Sequence, residues 1–207
     1  MNSGITAFIH GLLLALGLIL PLGVQNVFVF NQGALQKSIP RALPAIITAA
    51  VCDTFLIILA VIGVSAIVLS CLWLKTMMLV LGSLFLIYMG GVTWTAKPGN
   101  RNEAAQSFSF KKQIVFAASV SLLNPHAIVD TIGVIGTSSL SYGGTAKFAF
   151  SCACILVSWF WFFALALAGR ATGELDKEGR LLYVLNKVSA VIMWGASLYI
   201  VLSLVRR

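Results

Sequence analysis

Six stretches of this 207-residue chain are each long and apolar enough to cross a bilayer as a helix. They run near Ile5–Phe30, Ala42–Leu69, Thr76–Ala96, Gln113–Leu140, Thr145–Gly169 and Leu181–Val205. A span needs about 20 mostly apolar residues, because the helical rise is about 1.5 Å and the hydrocarbon is about 30 Å thick. Backbone groups cannot go unpaired in lipid, so each run is expected to be helical. The first, second and fourth runs are long enough to tilt or to be interrupted. The fold class expected is therefore an all-α membrane protein of six transmembrane helices. Composition agrees, with 59% hydrophobic and 10% charged residues, where a soluble domain carries about half and a quarter. The first run has no Lys or Arg before it and no small-x-small cleavage site after it, so it reads as a retained helix.

Fourteen Lys and Arg against six Asp and Glu leave a formal charge of +8. No basic patch interleaved with aromatics accompanies it, so nucleic acid is not an expected partner. The basic residues lie in the gaps between apolar runs. One side receives Lys37, Arg41, Lys97, Arg101, Lys111, Lys112, Arg170, Lys177 and Arg180; the other receives Lys75, Lys147, Arg206 and Arg207, with Lys187 inside the last span. By the positive-inside rule both termini are expected outside the cytoplasm, although the Arg206–Arg207 pair argues the other way. The polar stretch Lys97–Lys112 reads as a flexible cytoplasmic loop.

An internal repeat organises these runs. Pro21 and Pro125 each break a long apolar helix 104 residues apart, and Asn26 and Asp130 follow them at the same separation. Gly90 and Trp194–Gly195 close the third helix of each half at nearly the same offset, and the counterpart of Asp53 falls at Val157, beside Ser158. Two copies of a three-helix unit enter the membrane in opposite senses, as in the inverted repeats of many secondary transporters. The expected organisation is one transmembrane domain over 1–207. Its first repeat covers 1–96, the loop 97–111 and the second repeat 112–207, with proline-broken first and fourth helices.

Polar residues inside the runs are few: Gln25, Asn26, Asp53, Asn124, His126 and Asp130. A carboxylate at a helix centre costs roughly 2.5–3.5 kcal/mol on insertion scales, so Asp53 and Asp130 are functional candidates; the plainer alternative bonds them to neighbouring backbones or to hydroxyls such as Thr54 and Thr131. Pro21 and Pro125 would each free a backbone carbonyl, those of Gly17 and Ser121, toward a cavity. Gly23 would allow close approach, and Gln25 and Asn26 add amide donors and acceptors. Two carboxylates without an intramembrane Arg suit a cation with two ammonium groups, or one ammonium and a proton. A divalent metal usually wants more oxygen ligands, and no metal site or cofactor is expected. His126 is a candidate for proton exchange, and His10 is expected to contact the interface or a neighbouring backbone.

Other features read as packing. Cys52, Cys71, Cys152 and Cys154 form no C-x-x-C pair and are expected to be buried, inert thiols. The run Trp159–Phe163 points all round a helix, so packing and lipid contact are expected there. Gly82, Gly90, Gly91 and Gly195 are expected to permit close helix packing.

The chain resembles the lysine exporter (LysE) family, particularly its branch of lysine and arginine exporters. The resemblance rests on Leu20-Pro21-Leu22-Gly23-Val24-Gln25-Asn26 leading to Asn31-Gln32-Gly33, on Asp53, and on Leu123-Asn124-Pro125-His126-Ala127-Ile128-Val129-Asp130. It implies a six-helix exporter of basic amino acids in a bacterial inner membrane, with an inverted repeat. It maps Gln25, Asn26, Asp53, Asn124 and Asp130 onto the polar motif positions. Val24 and Ile128 depart from the residues frequent there, proline and tyrosine, which leaves arginine, lysine or another amino acid open.

The function expected is proton-coupled export of a cationic amino acid, with Asp53, Asp130 and His126 as the candidate proton-handling groups. Moving one positive charge out against 100 mV costs about 2.3 kcal/mol, and a proton entering in exchange cancels it. Partners are then a basic amino acid, protons and the bilayer, with a homo-oligomer left open. The rival readings are export of another amino acid or a metal cation, an intramembrane thiol redox protein, and an assembly subunit.

Overall fold

The computed structural model describes residues 3–20, 23–63, 72–95, 109–123, 128, 131–175 and 180–205. Among these residues there is no strand. The helices are α1 (Ser3–Ile19), α2 (Val24–Leu35), α3 (Ile39–Ile62), α4 (Leu72–Thr95), α5 (Phe110–Leu122), α6 (Gly144–Leu175) and α7 (Arg180–Val205). A π-helical segment, Thr131–Gly136, and the single turn Thr137–Ser139 precede α6. By length and apolarity α3 and Gly144–Glu174 of α6 each qualify as a membrane span, and α1 with α2 qualifies as a bent pair.

Local chemistry explains several helix ends. Ser38 precedes α3 in an extended conformation, with Pro40 in the first turn, where its missing N–H costs nothing. Gly63 ends α3 at φ 85°, in the left-handed region open to glycine. Ser109 Oγ accepts from Lys112 N at the start of α5. Lys111 and Lys112 therefore belong to the first turn of a helix and not to the loop expected there. The first apolar run also extends further than expected: Asn31 to Leu35 continue α2, because Gln36 N still donates to Gln32 O at 3.0 Å. Helix α6 runs past Gly169 to Leu175, and Arg170 closes a 2.7 Å ion pair with Glu174 one turn on.

The helices pack as two linked groups. Helix α6 is the hub, packed against α1, α2 and α3; α3 also packs on α5 and on the π-helical segment. Helices α4 and α7 pair with each other and join the rest through Val24 of α2 and Val120 of α5, which cluster with Leu86 and Met193. The main core collects Phe28 and Val29 of α2, Ala42, Ala45, Ile46, Ala49 and Ala50 of α3, Ala117 of α5, and Phe162, Leu165 and Ala166 of α6. Leu13, Phe55, Phe160, Leu198 and many other large apolar side chains lie exposed on the outside. That distribution suits a surface that faces lipid.

Glycine sets how closely the helices approach, at positions mostly different from those expected. A Cβ at Gly33 would land on the backbone of Ala166, and one at Gly169 on the Phe30 carbonyl, so α2 and α6 touch backbone to backbone. Gly11 meets Phe150 and Ala153 in the same way, and Gly136 lies against Ala60. Of the four glycines expected to do this, Gly90 does, against the Trp194 indole. Gly91 and Gly195 have open space around them, and the Gly82 side lies outside the described positions.

Lys187 sits in the second turn of α7, where its Nζ donates to Trp94 O at 2.7 Å and lies 3.8 Å from the centre of the Trp94 ring. It thus meets the last turn of α4, where the helix dipole favours a cation. Lys187→Met should lower the melting temperature of the detergent-solubilised protein modestly, because such a cation–π contact is worth about 0.5–1 kcal/mol at an exposed site. An unchanged melting curve would show that the contact adds nothing.

Candidate functional site

Asp53 lies in the middle of α3, half-buried, with α2 on one side and α6 on the other. Its Oδ1 accepts from Gln25 Nε2 at 2.9 Å, and its Oδ2 from Ser158 Oγ at 3.2 Å. Both donors are neutral. Among the described residues no basic side chain pairs with this carboxylate. An ionised carboxylate offers about four lone-pair positions, so two neutral partners leave it able to take a cation as well.

Around it the side chains are already ordered. Trp159 Nε1 donates to Thr54 Oγ1 at 3.1 Å, and Thr54 Oγ1 donates to Ala50 O at 2.7 Å. Asn26 Nδ2 donates to Ile19 O at 2.7 Å, and Trp161 Nε1 donates to Asn26 Oδ1 at 3.3 Å. Helices α1 and α2 meet at 80° across a short gap, and Asn26 spans it from the first turn of α2 to the last residue of α1. Pro21, expected to free the carbonyl of Gly17, lies outside the described residues. Gly23 precedes α2 in an extended conformation (φ −78°, ψ 172°), and a Cβ there would meet no atom within 4 Å.

The structure therefore joins Gln25 to Asp53, while the neighbouring Asn26 bonds Ile19 O and Trp161. Pro21, Asn124, Pro125, His126 and Asp130 lie outside the described residues. Ser158, Trp159 and Trp161 were not among the expected site residues, and the two indoles were expected to pack or to meet lipid. Ser158 carried a signal: it stands 105 residues after Asp53, next to the repeat-related position. The aromatic run divides by face. Phe162 is buried in the core and Phe160 faces outward, while the two indoles turn their N–H groups to the polar site.

His10 and the cysteines lie elsewhere. His10 Nδ1 is 2.8 Å from the Tyr142 hydroxyl, a side-chain partner where a backbone or interfacial one was expected. Cys52, Cys152 and Cys154 are free thiols; Cys52 and Cys154 are buried, Cys152 only partly, and Cys71 lies outside the described residues. Cys152 and Cys154 are two residues apart on one helix and point to different sides. The Cys154 Sγ meets Gly11 O at 3.5 Å.

The family model described as LysE type translocator matches residues 16–204. This chain belongs to the LysE family. It is 59% identical over 198 residues, 96% of this chain and 90% of the relative, to YisU of Bacillus subtilis (strain 168), which its name proposes to be an amino-acid transporter. It is 33% identical over 197 residues, 92% of this chain and 94% of the relative, to the arginine exporter protein ArgO of Pectobacterium carotovorum subsp. carotovorum (strain PC1). Against ArgO of Klebsiella pneumoniae (strain 342) the identity is 32% over 193 residues, covering 91% and 90%. No solved structure matches this LysE-family chain. Family and apolar helices together make it an all-α, multi-pass membrane protein of the amino-acid transport class.

Proposed function

We propose that this protein is a secondary active exporter of cationic amino acids, arginine or lysine, that takes up a proton in exchange. The observation that carries the reading is Asp53: a carboxylate within a membrane helix whose partners among the described residues are two neutral donors, Gln25 and Ser158. A charge so placed costs several kcal/mol unless a partner compensates it. A guanidinium or ammonium group supplies that partner, and a proton replaces it when the solute leaves. Asn124 and Asp130 would complete the site from the second half, with His126 a further candidate for proton exchange. The names of the ArgO relatives point to the same cargo.

The packing order supports six spans arranged as an inverted repeat of 1–96 and 112–207. The contact of α1 with α6 is matched by that of α5 with α3, and the contact of α2 with α6 by that of the π-helical segment with α3. Helices α3 and α6 pair across the pseudo-axis, as do α4 and α7. The glycine contacts follow suit: Gly33 on Ala166 has its counterpart in Gly136 on Ala60. An axis between α3 and α6 would run beside the Asp53–Ser158 bond, where transporters of this architecture hold their solutes. In this arrangement the protein sits in the bacterial inner membrane with both termini outside the cytoplasm.

The test is counterflow of labelled arginine and lysine in proteoliposomes at controlled pH and voltage. Saturable exchange, accelerated by an opposed proton gradient, is expected; absence of flux for both would end the proposal. Trp161→Phe removes the indole donor to Asn26 and part of the ring that packs on the core. It should slow flux by about ten-fold or less and lower the melting temperature modestly, since a neutral hydrogen bond nets about 1 kcal/mol and the phenyl ring keeps most of the packing. Flux at the parent rate would show that Asn26 holds the bend unaided.

A further inference from the structure

A second polar feature lies apart from Asp53. Gln25, Gln32 and Gln36 are all buried, with relative exposures of 7%, 1% and 3%. At 3.6 residues per turn they fall within roughly 40° of one another, a single stripe along α2 and its final turn. The stripe is about 16 Å long at 1.5 Å per residue, about half the hydrocarbon thickness. It starts at the Asp53 carboxylate, to which Gln25 donates, and ends beside Lys37 and Arg41. Burying amides in a membrane protein costs free energy unless they are fully bonded. Here the bonding between members is loose: Gln36 Nε2 reaches Gln32 Oε1 at 3.3 Å, long against the usual 2.9 Å.

What the stripe faces also matters. Val29, on the same stripe, packs in one cluster with Ala42, Ala45, Ile46, Ala49 and Ala50 of α3 and with Phe162, Leu165 and Ala166 of α6. Four of the five α3 residues are alanines, whose methyl side chains bury little area, so parting α2 from α3 forfeits less hydrophobic free energy than parting it from α6. By contrast, Gly33 and Gly169 lock α2 to α6 backbone to backbone. Polar contacts help close the far end. Arg170 Nη1 donates to Lys37 O at 2.7 Å, and Gln113 Nε2 donates to Arg41 O at 3.0 Å.

We infer that the buried amide row Gln25–Gln32–Gln36 is the route by which a cationic solute passes between the Lys37–Arg41 end of the protein and Asp53, opened when α2 separates from the alanine face of α3. The inference rests on the transport reading above and adds the path to its site. Amide oxygens replace water around a travelling ammonium or guanidinium group; none of the three side chains is charged, and the Arg170 guanidinium stands at the outer end, 3.5 Å from Gln36 O.

Two measurements test it. In a chain whose four cysteines are replaced by alanine, Gln32→Cys in vesicles should react with 2-aminoethyl methanethiosulfonate at least ten-fold faster than Ala190→Cys, an equally buried position on α7. Equal rates would overturn the route. In the otherwise unaltered chain, Gln32→Leu should lower labelled-arginine flux at least ten-fold, and Gln32→Asn should retain most of it. Arginine binding to the detergent-solubilised Gln32→Leu protein should stay within two-fold of the parent. Undiminished flux in Gln32→Leu, or binding lost along with flux, would also overturn it. The thiol reaction needs no knowledge of the cargo. A reactive Gln32→Cys in a protein that moves neither arginine nor lysine would sink the proposed cargo and leave the route standing.

Discussion

Asp53→Asn is expected to lower arginine and lysine flux roughly a hundred-fold while the protein stays folded. The substitution keeps the side-chain volume, and the new amide oxygen still accepts from Gln25 in place of the carboxylate oxygen that does so at 2.9 Å. What it removes is the charge. A hydrogen bond to an ionised partner is worth about 1.5–3 kcal/mol, and each 1.4 kcal/mol is about ten-fold. Removing a charge from mid-span also removes its burial cost, so the melting temperature should hold or rise. Proteoliposome flux and a melting curve in detergent, measured on the same preparation, separate the two effects. A variant that transports at the parent rate would leave the carboxylate without a role and the functional reading without its main support.

Gly33→Leu should be the most damaging single change to the fold. A Cβ at this position already collides with the Ala166 backbone, and a backbone cannot swing aside as a side chain can. Overpacking in a well-packed core costs about 1–3 kcal/mol, and the upper end or beyond applies when helix axes must separate. Gly169→Leu should behave alike, because its Cβ would meet the Phe30 carbonyl on the same interface. Gly91→Leu is the control, at a helical glycine with open space around it. A much lower melting temperature and loss of monodisperse protein are expected for Gly33→Leu and not for Gly91→Leu. Equal behaviour would mean that α2 is not held to α6 by this contact, and the way α2 separates from α3 would need another explanation.

Some of this was legible in the residues. Apolar run length announced the helices, because a bilayer demands about 20 such residues whatever the partners. The rarity of charge inside those runs singled out Asp53, and the 104-residue offset led to Val157, one residue short of Ser158, its actual partner. Amides misled. Asn31, Gln32 and Gly33 resemble a turn in composition, yet they continue α2, because tertiary packing on α6 outweighs their weak helix preference. Gly91 and Gly195 looked like packing glycines, whereas Gly11, Gly33, Gly136 and Gly169 do that work or share it with Gly90. Which glycine meets a neighbour depends on how two helices cross, and one helix's own sequence does not contain that angle.

The sequence by itself determined that the chain is helical and lipid-facing, since unpaired backbone groups and exposed apolar surface each allow one solution in a bilayer. It also determined that a carboxylate would have to be buried there, because Asp53 sits inside an apolar run. Only the tertiary structure decided what that carboxylate touches, that Trp161 and Asn26 tie α1 to α2, and that Gln25 and Gln32 of α2 share one buried stripe with Gln36 just beyond it. Those facts depend on how helices far apart in sequence rotate and cross, which long-range packing sets and local composition does not.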